Sequence, residues 1–517
     1  MSCLLNLFTR IRLRSVLIRQ GLWIGLAVFL LPFLALQPVQ AAIPWQTKVD
    51  PWVLKQAQKG EVEFLVFLSE QADLSAAASL PSKTAKGEYV YHQLTLTAQR
   101  TQPPILQKLQ QSGLKVQPFW IANMILVRGD QTTVQMLARR EDVAHLYSNP
   151  SVRLDTPRVE SSLAFPASGD GVEWNLSQVN ADKVWQLGFR GAGVVIAGQD
   201  TGYEWTHPAL KNTYRGWNGS SASHDYNWHD AIHAANLYCP ADSPQPCDDH
   251  NHGTHTMGTM VGEDGTNQIG MAPEAKWIGC RNMNSNYGTP ASYTECFQFF
   301  LAPTRLDGSD PRPDLAPDVI NNSWSCPPSE GCTDPLVLET VVNNVRAAGI
   351  LTVQSAGNSG PNCATINSPA AIYAASFTVG ATDSTDNIVS FSSRGPVTVD
   401  GSNRPKPDIS APGSGIRSSI RGGTYGTMSG TSMAAPHVVG LAALLISANS
   451  SLRGNPDEIQ AVIEQTALPR TTSQTCGSVP GTSIPNNTYG WGRIDALPAL
   501  KAVRLFYYFP IFWVEAQ

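Results

Sequence analysis

Three short apolar runs, each ending in polar residues, limit the fold more than any other feature. Val194-Val195-Ile196-Ala197 leads into Gln199-Asp200-Thr201-Gly202, Val319-Ile320 into Asn321-Asn322-Ser323, and Ile350-Leu351-Thr352-Val353 into Ser355-Ala356-Gly357-Asn358. The runs are continuous rather than alternating, and helical stretches separate them. Strands apolar on both sides belong in a sheet covered on both faces, and strand–helix alternation makes that sheet parallel. In open α/β sheets, ligands bind outside the carboxyl ends of the strands. Three polar strand ends therefore point at one site. The expectation for 172–504 is an α/β fold, a mostly parallel sheet with helices on both faces.

Cysteine divides the rest of the chain. Residues 43–160 hold none, and eight of the nine cysteines fall between 161 and 504. Within 43–160, strands at Val62–Leu68, Ile121–Arg128 and Val143–Tyr147 alternate with helices from Thr84 to about Ser112 and from Thr132 to Arg140. Pro103-Pro104 should break or kink the first helix. That β-α-β-α-β order suits a small open sheet with helices on one face. The stretch Pro157–Gly171, rich in Ser, Pro and Gly, reads as an exposed linker, so 161–171 is the expected junction.

Residues 1–42 have the form of a secretory leader. Arg10, Arg12, Arg14 and Arg19 precede an apolar run, Gly21–Leu36, and Val39-Gln40-Ala41 offers small residues for cleavage. The run is about 16 residues with Pro32 inside it, short for a span of roughly 20. Leu505–Val514 is apolar but half that length, so 505–517 reads as a terminal strand or docked tail, and no stable span is expected after leader removal. An even set of eight cysteines fits export. Short loops favour Cys239 with Cys247, Cys280 with Cys296 and Cys326 with Cys332, leaving Cys363 with Cys476. No CxxC occurs, which argues against that kind of zinc or redox site. Net charge is +4 over 1–42, +2 over 43–160 and −11 over the remainder. A −11 body is a poor footprint for nucleic acid, and a +2 segment beside it could favour their association.

Three segments carry chemistry. Asp200-Thr201-Gly202 lies just past a buried strand. His252-Gly253-Thr254-His255 opens a helix-compatible stretch. Gly430-Thr431-Ser432 precedes a helix that is apolar nearly all round, hence buried. A serine hydroxyl is a weak nucleophile at neutral pH and needs an imidazole to take its proton. The imidazole needs a carboxylate to fix its tautomer. Ser432 at a helix N-terminus also sits where partial positive charge favours an oxyanion, and Asn358 can donate an amide to the same oxygen.

These segments resemble the blocks of the subtilisin-like serine proteases, the subtilases. VIAGQDTG is similar to the catalytic-Asp block, HGTHTMGTMVG to the catalytic-His block and GTSMAAPHVVG to the nucleophile block. The order Asp…His…Ser is also the family's. The resemblance implies Asp200, His252 and Ser432 as a triad. SAGNSG makes Asn358 the oxyanion donor, and VINNSWS puts Ser323, Trp324 and Ser325 along the substrate groove. WTHPALKNTYRGWNG and GTNQIGMAPEAKWI are most similar to bacillopeptidase F-like members. The implied protein is a secreted serine endopeptidase, a monomer acting on polypeptides. Residues 43–160 are then a ferredoxin-like α+β prodomain, a chaperone and inhibitor removed by the enzyme itself at a site between Asp155 and Gly169. Its last strand and tail would lie in the active-site groove.

The resemblance calls for no cofactor in the chemistry. Related proteases bind structural calcium, and Glu263-Asp264 to Gln268 offers oxygens. No loop has a complete ligand pattern, so calcium is unassigned. Ser325-Cys326 stands where the family has glycine after the tryptophan position, which leaves the shape of the primary pocket open. Other readings are weaker. A single Asp-Thr-Gly cannot serve an aspartic protease, which needs two. His250, His252 and His255 with Asp248 and Asp249 look like metal ligands, but Thr254 stands where a metallo-hydrolase pattern needs Asp. His207 and His437 read as packing residues. A binding protein that kept the fold would not need the intact Asp200, His252, Ser432 and Asn358.

Overall fold

A computed structural model describes residues 44–155 and 171–505. The expected leader, most of the expected linker and the apolar tail beyond Leu505 lie outside the described residues.

The first part opens at Asp50, whose carboxylate accepts from Trp52 N at 2.7 Å and so caps α1 (Pro51–Ala57). It continues through β1 (Val62–Leu68), α2 (Lys83–Thr101), α3 (Pro103–Gln111), β2 (Val116–Phe119), β3 (Met124–Gly129), α4 (Gln131–Ala138) and β4 (Val143–Ser148). The strands pair antiparallel in the order β2-β3-β1-β4, the ferredoxin-like arrangement. As expected, the first helix breaks at the proline pair, with Pro103 starting α3 where a missing N–H costs least. Sequence reading passes over β2 because it contains Pro118. Edge strands tolerate proline, and β2 is at the edge.

The sheet has no open face. Phe64, Val66 and Leu68 pack with Ile105 and Leu109 of α3 and Val134 and Leu137 of α4. Leu65 on the other side joins a second core, shared by Val90 and Leu94 of α2 and by Phe297, Phe300, Val341 and Val345 of the following part. The helices therefore divide between two cores instead of lining one face, because the second face is buried on the body.

Polar groups fix the orientation. Lys83 Nζ lies 2.9 Å from the Asp318 carboxylate, and Lys86 Nζ donates to Gly454 O at 2.7 Å. Trp120 N donates to Gln298 Oε1 at 2.8 Å and Gln117 Nε2 to Glu295 Oε2 at 2.6 Å.

The body is built on seven parallel strands in the order Ile409–Pro412, Ser376–Thr382, Leu351–Ser355, Val319–Asn322, Val195–Asp200, Lys276–Arg281 and Trp228–Asp230. The predicted apolar runs form three adjacent strands near its middle. Thr431–Ala448 is the central helix. It is apolar and long enough to cross a membrane, but it is buried inside the body as a core helix. The three disulfides favoured by loop length, 239–247, 280–296 and 326–332, are present, and so is the remaining pair, 363–476.

Glu295 also receives His229 at 2.7 Å and His233 at 3.2 Å. Burial alone would raise this carboxyl, but the two histidine bonds outweigh it and hold it down at about 2. His233 is pushed up to about 9, first by its bond to Glu295 and then by Asp242, with burial opposing. A raised imidazole gives stability that is complete below its ordinary value of 6.5 and lost as pH rises through about 9. The depressed Glu295 gives stability that is present above its ordinary 4.5 and lost as pH falls through about 2. Melting curves should place the wild-type chain above His233→Gln at about pH 6 and show the difference vanishing by about pH 10. A pH-independent difference would assign His233 a packing role instead.

Candidate active site

The carboxyl edge of the parallel sheet gathers the predicted residues. Asp200 is the last residue of its strand, fully buried, with Oδ1 accepting from Thr201 N at 2.8 Å. His252, equally buried, opens the helix His252–Val261 and places Nδ1 2.7 Å from Asp200 Oδ1. With Nδ1–H donating to the carboxylate, Nε2 is left as the acceptor nitrogen. The motif glycines explain how the segments come this close. Gly202 has φ +105°, and a Cβ there would strike Cys247 O. A Cβ on Gly253 would strike Gly202 O.

Ser432 is the second residue of Thr431–Ala448, the helix that packs against His252–Val261. Its hydroxyl is directed at Ser323 O, 3.3 Å away, and Ser323 Oγ donates back to Ser432 O at 3.0 Å. His252 Nε2 is buried without a hydrogen-bond partner. The structure thus joins Asp200 to His252 and sets Ser432 on the neighbouring helix, with no hydrogen bond between Ser432 and His252 in this conformation.

Asn358 follows the strand Leu351–Ser355. Its Oδ1 accepts from Thr431 N at 2.9 Å and Thr431 Oγ1 at 3.0 Å, which fixes the amide and turns Nδ2 outward. Nδ2 lies 3.4 Å from the carbonyl oxygen of Asp155, at the end of the first part. Just before it, β5 (Val152–Arg153) pairs antiparallel with Tyr287–Gly288, and Leu154 N donates to Asn286 O at 2.8 Å. Glu330 Oε2 accepts from Arg153 N at 2.8 Å on the other side.

The hairpin Met283–Gly288 and the loop closed by Cys326–Cys332 therefore form two walls; the sequence points to the second through Ser325-Cys326 but does not single out the hairpin. The turn residues Ser285 and Asn286 carry φ of +47° and +68°, which two-residue hairpins need, and Asn-Ser-Asn was the available signal. Of the predicted groove residues, Ser325 lines a cavity of about 280 Å³ beside Leu154 and Asp155. Ser323 sits against Ser432. Trp324 turns inward, 2% exposed, its ring stacked on Tyr293 at 3.9 Å between centroids.

Three further histidines bond backbone groups. His255 is pushed down to about 3 and His437 to about 4 by burial, and they bond Ile416 O and Met433 O. His207 accepts from Ala209 N and bonds Thr424 O. The proposed calcium-type oxygens are engaged too. Glu263 pairs with Arg190, and Asp264 takes Thr266 N, Asn267 N and the Tyr425 hydroxyl. Among the described residues, no group of three His, Cys, Asp or Glu side chains forms a metal site.

A buried Asp–His bond at a sheet's carboxyl edge, with a serine and an amide donor on the adjoining helix and loop, is an arrangement of the serine hydrolases. The family profile that matches is the subtilase family, over residues 191–492, and the chain belongs to it. Bacillopeptidase F of Bacillus subtilis (strain 168) is 37% identical over 500 residues, 90% of this chain and 33% of that protein. Subtilisin E of the same organism is 28% identical over 387 residues, 74% of this chain and 86% of that one. A thermophilic serine proteinase of Bacillus sp. (strain AK1) is 32% identical over 332 residues, 63% of this chain and 70% of its own. This chain thus spans a third of the length of bacillopeptidase F and most of the length of subtilisin E.

Asp248 positions the histidine helix. Its carboxylate accepts from Thr201 Oγ1 at 2.9 Å, Thr254 N at 3.0 Å, Thr254 Oγ1 at 2.6 Å, His250 N at 2.9 Å and Asn251 N at 3.0 Å. Asp248→Ala leaves these donors unmet and should lower stability by about 3 kcal/mol or more in chemical denaturation. A loss under about 1 kcal/mol would show that water replaces the carboxylate.

Proposed function

We propose that the chain is a secreted serine endopeptidase made as a precursor, with Ser432 as nucleophile, His252 as general base and acid, and Asp200 as the group that orients His252. The observation that carries this reading is the fully buried 2.7 Å bond between His252 and Asp200, which leaves a lone pair on Nε2. Rotation of the Ser432 hydroxyl away from Ser323 O presents its proton to that nitrogen. The serine oxygen then attacks the scissile carbonyl. His252, now charged beside Asp200, returns the proton to the leaving amine, and water hydrolyses the acyl-enzyme by the same route. The Asn358 amide and the Ser432 N–H receive the oxyanion. No step calls for a cofactor.

Substrate would lie extended, as β5 does, between Tyr287–Gly288 and the Cys326–Cys332 loop. Residues 44–155 act in this reading as a prodomain that blocks the groove until the enzyme cuts it away. The tail of this segment against Asn358 and its two-sided docking on the body support that role. The basic and apolar leader and four disulfides support export.

Ser432→Ala should abolish casein hydrolysis and leave the precursor uncut. Normal processing by that variant would mean that another residue or another protease does the cutting. Asn358→Ala should lower kcat about 10²–10³-fold with little change in KM. An equal loss in binding would make Asn358 a substrate contact.

A further inference from the structure

The following rests on the hydrolase reading and names what its primary pocket takes. We propose that the chain's own processing bond is the one that follows Asp155, and that the adjoining cavity selects short side chains bearing an oxygen acceptor at the residue whose carbonyl is attacked.

Two sets of bonds hold the segment before this bond. Tyr287–Gly288 and Asn286 O fix one edge of residues 152–154, and Glu330 fixes Arg153 N on the other. The next carbonyl, that of Asp155, is the one facing Asn358 Nδ2 at 3.4 Å. An amide donor placed for a developing oxyanion thus meets this carbonyl.

The side chain supplies the second half. Asp155 Oδ2 accepts from Asn358 N at 3.2 Å. The cavity of about 280 Å³ beside it is lined by Ser325, Asn367 and Ala356 and by Thr365, Ser368 and Ser393, whose hydroxyls already bond within the body. A large apolar side chain there would bury the side chains of Ser325 and Asn367 without new partners, and a site built to hydrogen-bond rejects a ligand that cannot. Glu330 also lines the cavity, where its carboxylate accepts from Arg153 N and its negative charge disfavours a second carboxylate relative to an uncharged acceptor. The wall is set by the disulfide loop, where Cys326 N donates to Ser368 Oγ at 2.6 Å. The same loop receives Ser148 Oγ on Gly331 O at 2.8 Å, so one element shapes the pocket and seats the prodomain. Hydrolysis breaks the C–N bond after Asp155. The water hydroxyl goes to the carbonyl carbon and a proton to the released amine.

The test follows maturation of the full-length chain by intact mass and N-terminal sequencing of the earliest large fragment. The mature enzyme is then assayed on Val-Arg-Leu-Xaa p-nitroanilides with Xaa Asp, Asn, Leu or Phe. The expected first cut gives Thr156 as the new N-terminus, and kcat/KM for Asp and Asn should exceed Leu and Phe by about tenfold or more. Asp155→Phe should delay or displace the first cut. A first cut elsewhere, equal or better turnover of Phe, or unchanged processing of Asp155→Phe would overturn the proposal. Casein hydrolysis and a sulfonyl fluoride adduct on Ser432, measured in the same preparation, report on the hydrolase reading alone. Their absence would overturn that reading, while their presence with a Phe preference would overturn only the pocket assignment.

Discussion

A buried imidazole is useful as a base only if something fixes which nitrogen carries the proton. Here that is the 2.7 Å bond between His252 and Asp200, both withdrawn from solvent. Burying a carboxylate is expensive unless it is paired and hydrogen-bonded. Asp200 meets that condition through Thr201 N and through its place at the end of a central parallel strand. His252 meets it through a helix whose start is fixed by Asp248 and whose neighbour Asn251 takes a left-handed φ of +86° while its side chain receives Arg421. Residues 52 positions apart in sequence meet because parallel strands need crossovers, and crossovers return every carboxyl end to one edge.

The same edge explains why the first part of the chain ends where it does. Its sheet is too small to leave an apolar face in water, and that face is buried on the helices Pro290–Leu301 and Glu339–Ala347. Lys83 on Asp318 and Gln117 on Glu295 give the contact a fixed orientation, with a basic segment meeting acidic groups of the body. Docked this way, the chain leaves β4 beside the Cys326–Cys332 loop, and β5 runs on into the groove. Docking of the sheet and filling of the groove are thus one continuous interaction, which suits the proposed prodomain role.

Much of this was legible in the sequence for identifiable reasons. Apolar runs such as Ile350–Val353 mark central strands because such strands are covered on both faces. Asp200 and His252 are followed by glycines, Gly202 and Gly253, that the backbone needs at close contacts, so these motifs carry structural as well as chemical information. Loop length paired six of the cysteines and left Cys363 with Cys476. The groove was less legible. Tyr287–Gly288 and Val152–Arg153 are strands of two residues, defined by pairing with each other rather than by any periodic pattern. The family resemblance of VINNSWS implies Trp324 as groove lining, yet its ring turns inward and stacks on Tyr293. Ser323 gave no signal of the reciprocal bonds it makes with Ser432, since those depend on two strand and helix ends meeting in space.

The central claim is that Asp200 and His252 make Ser432 a nucleophile. It is tested most directly by treating the mature protein with a fluorophosphonate and mapping the adduct by peptide mass spectrometry. The account predicts one adduct, on Ser432, lost in His252→Ala. Labelling of a different residue, or labelling of Ser432 at the same rate without His252, would contradict it.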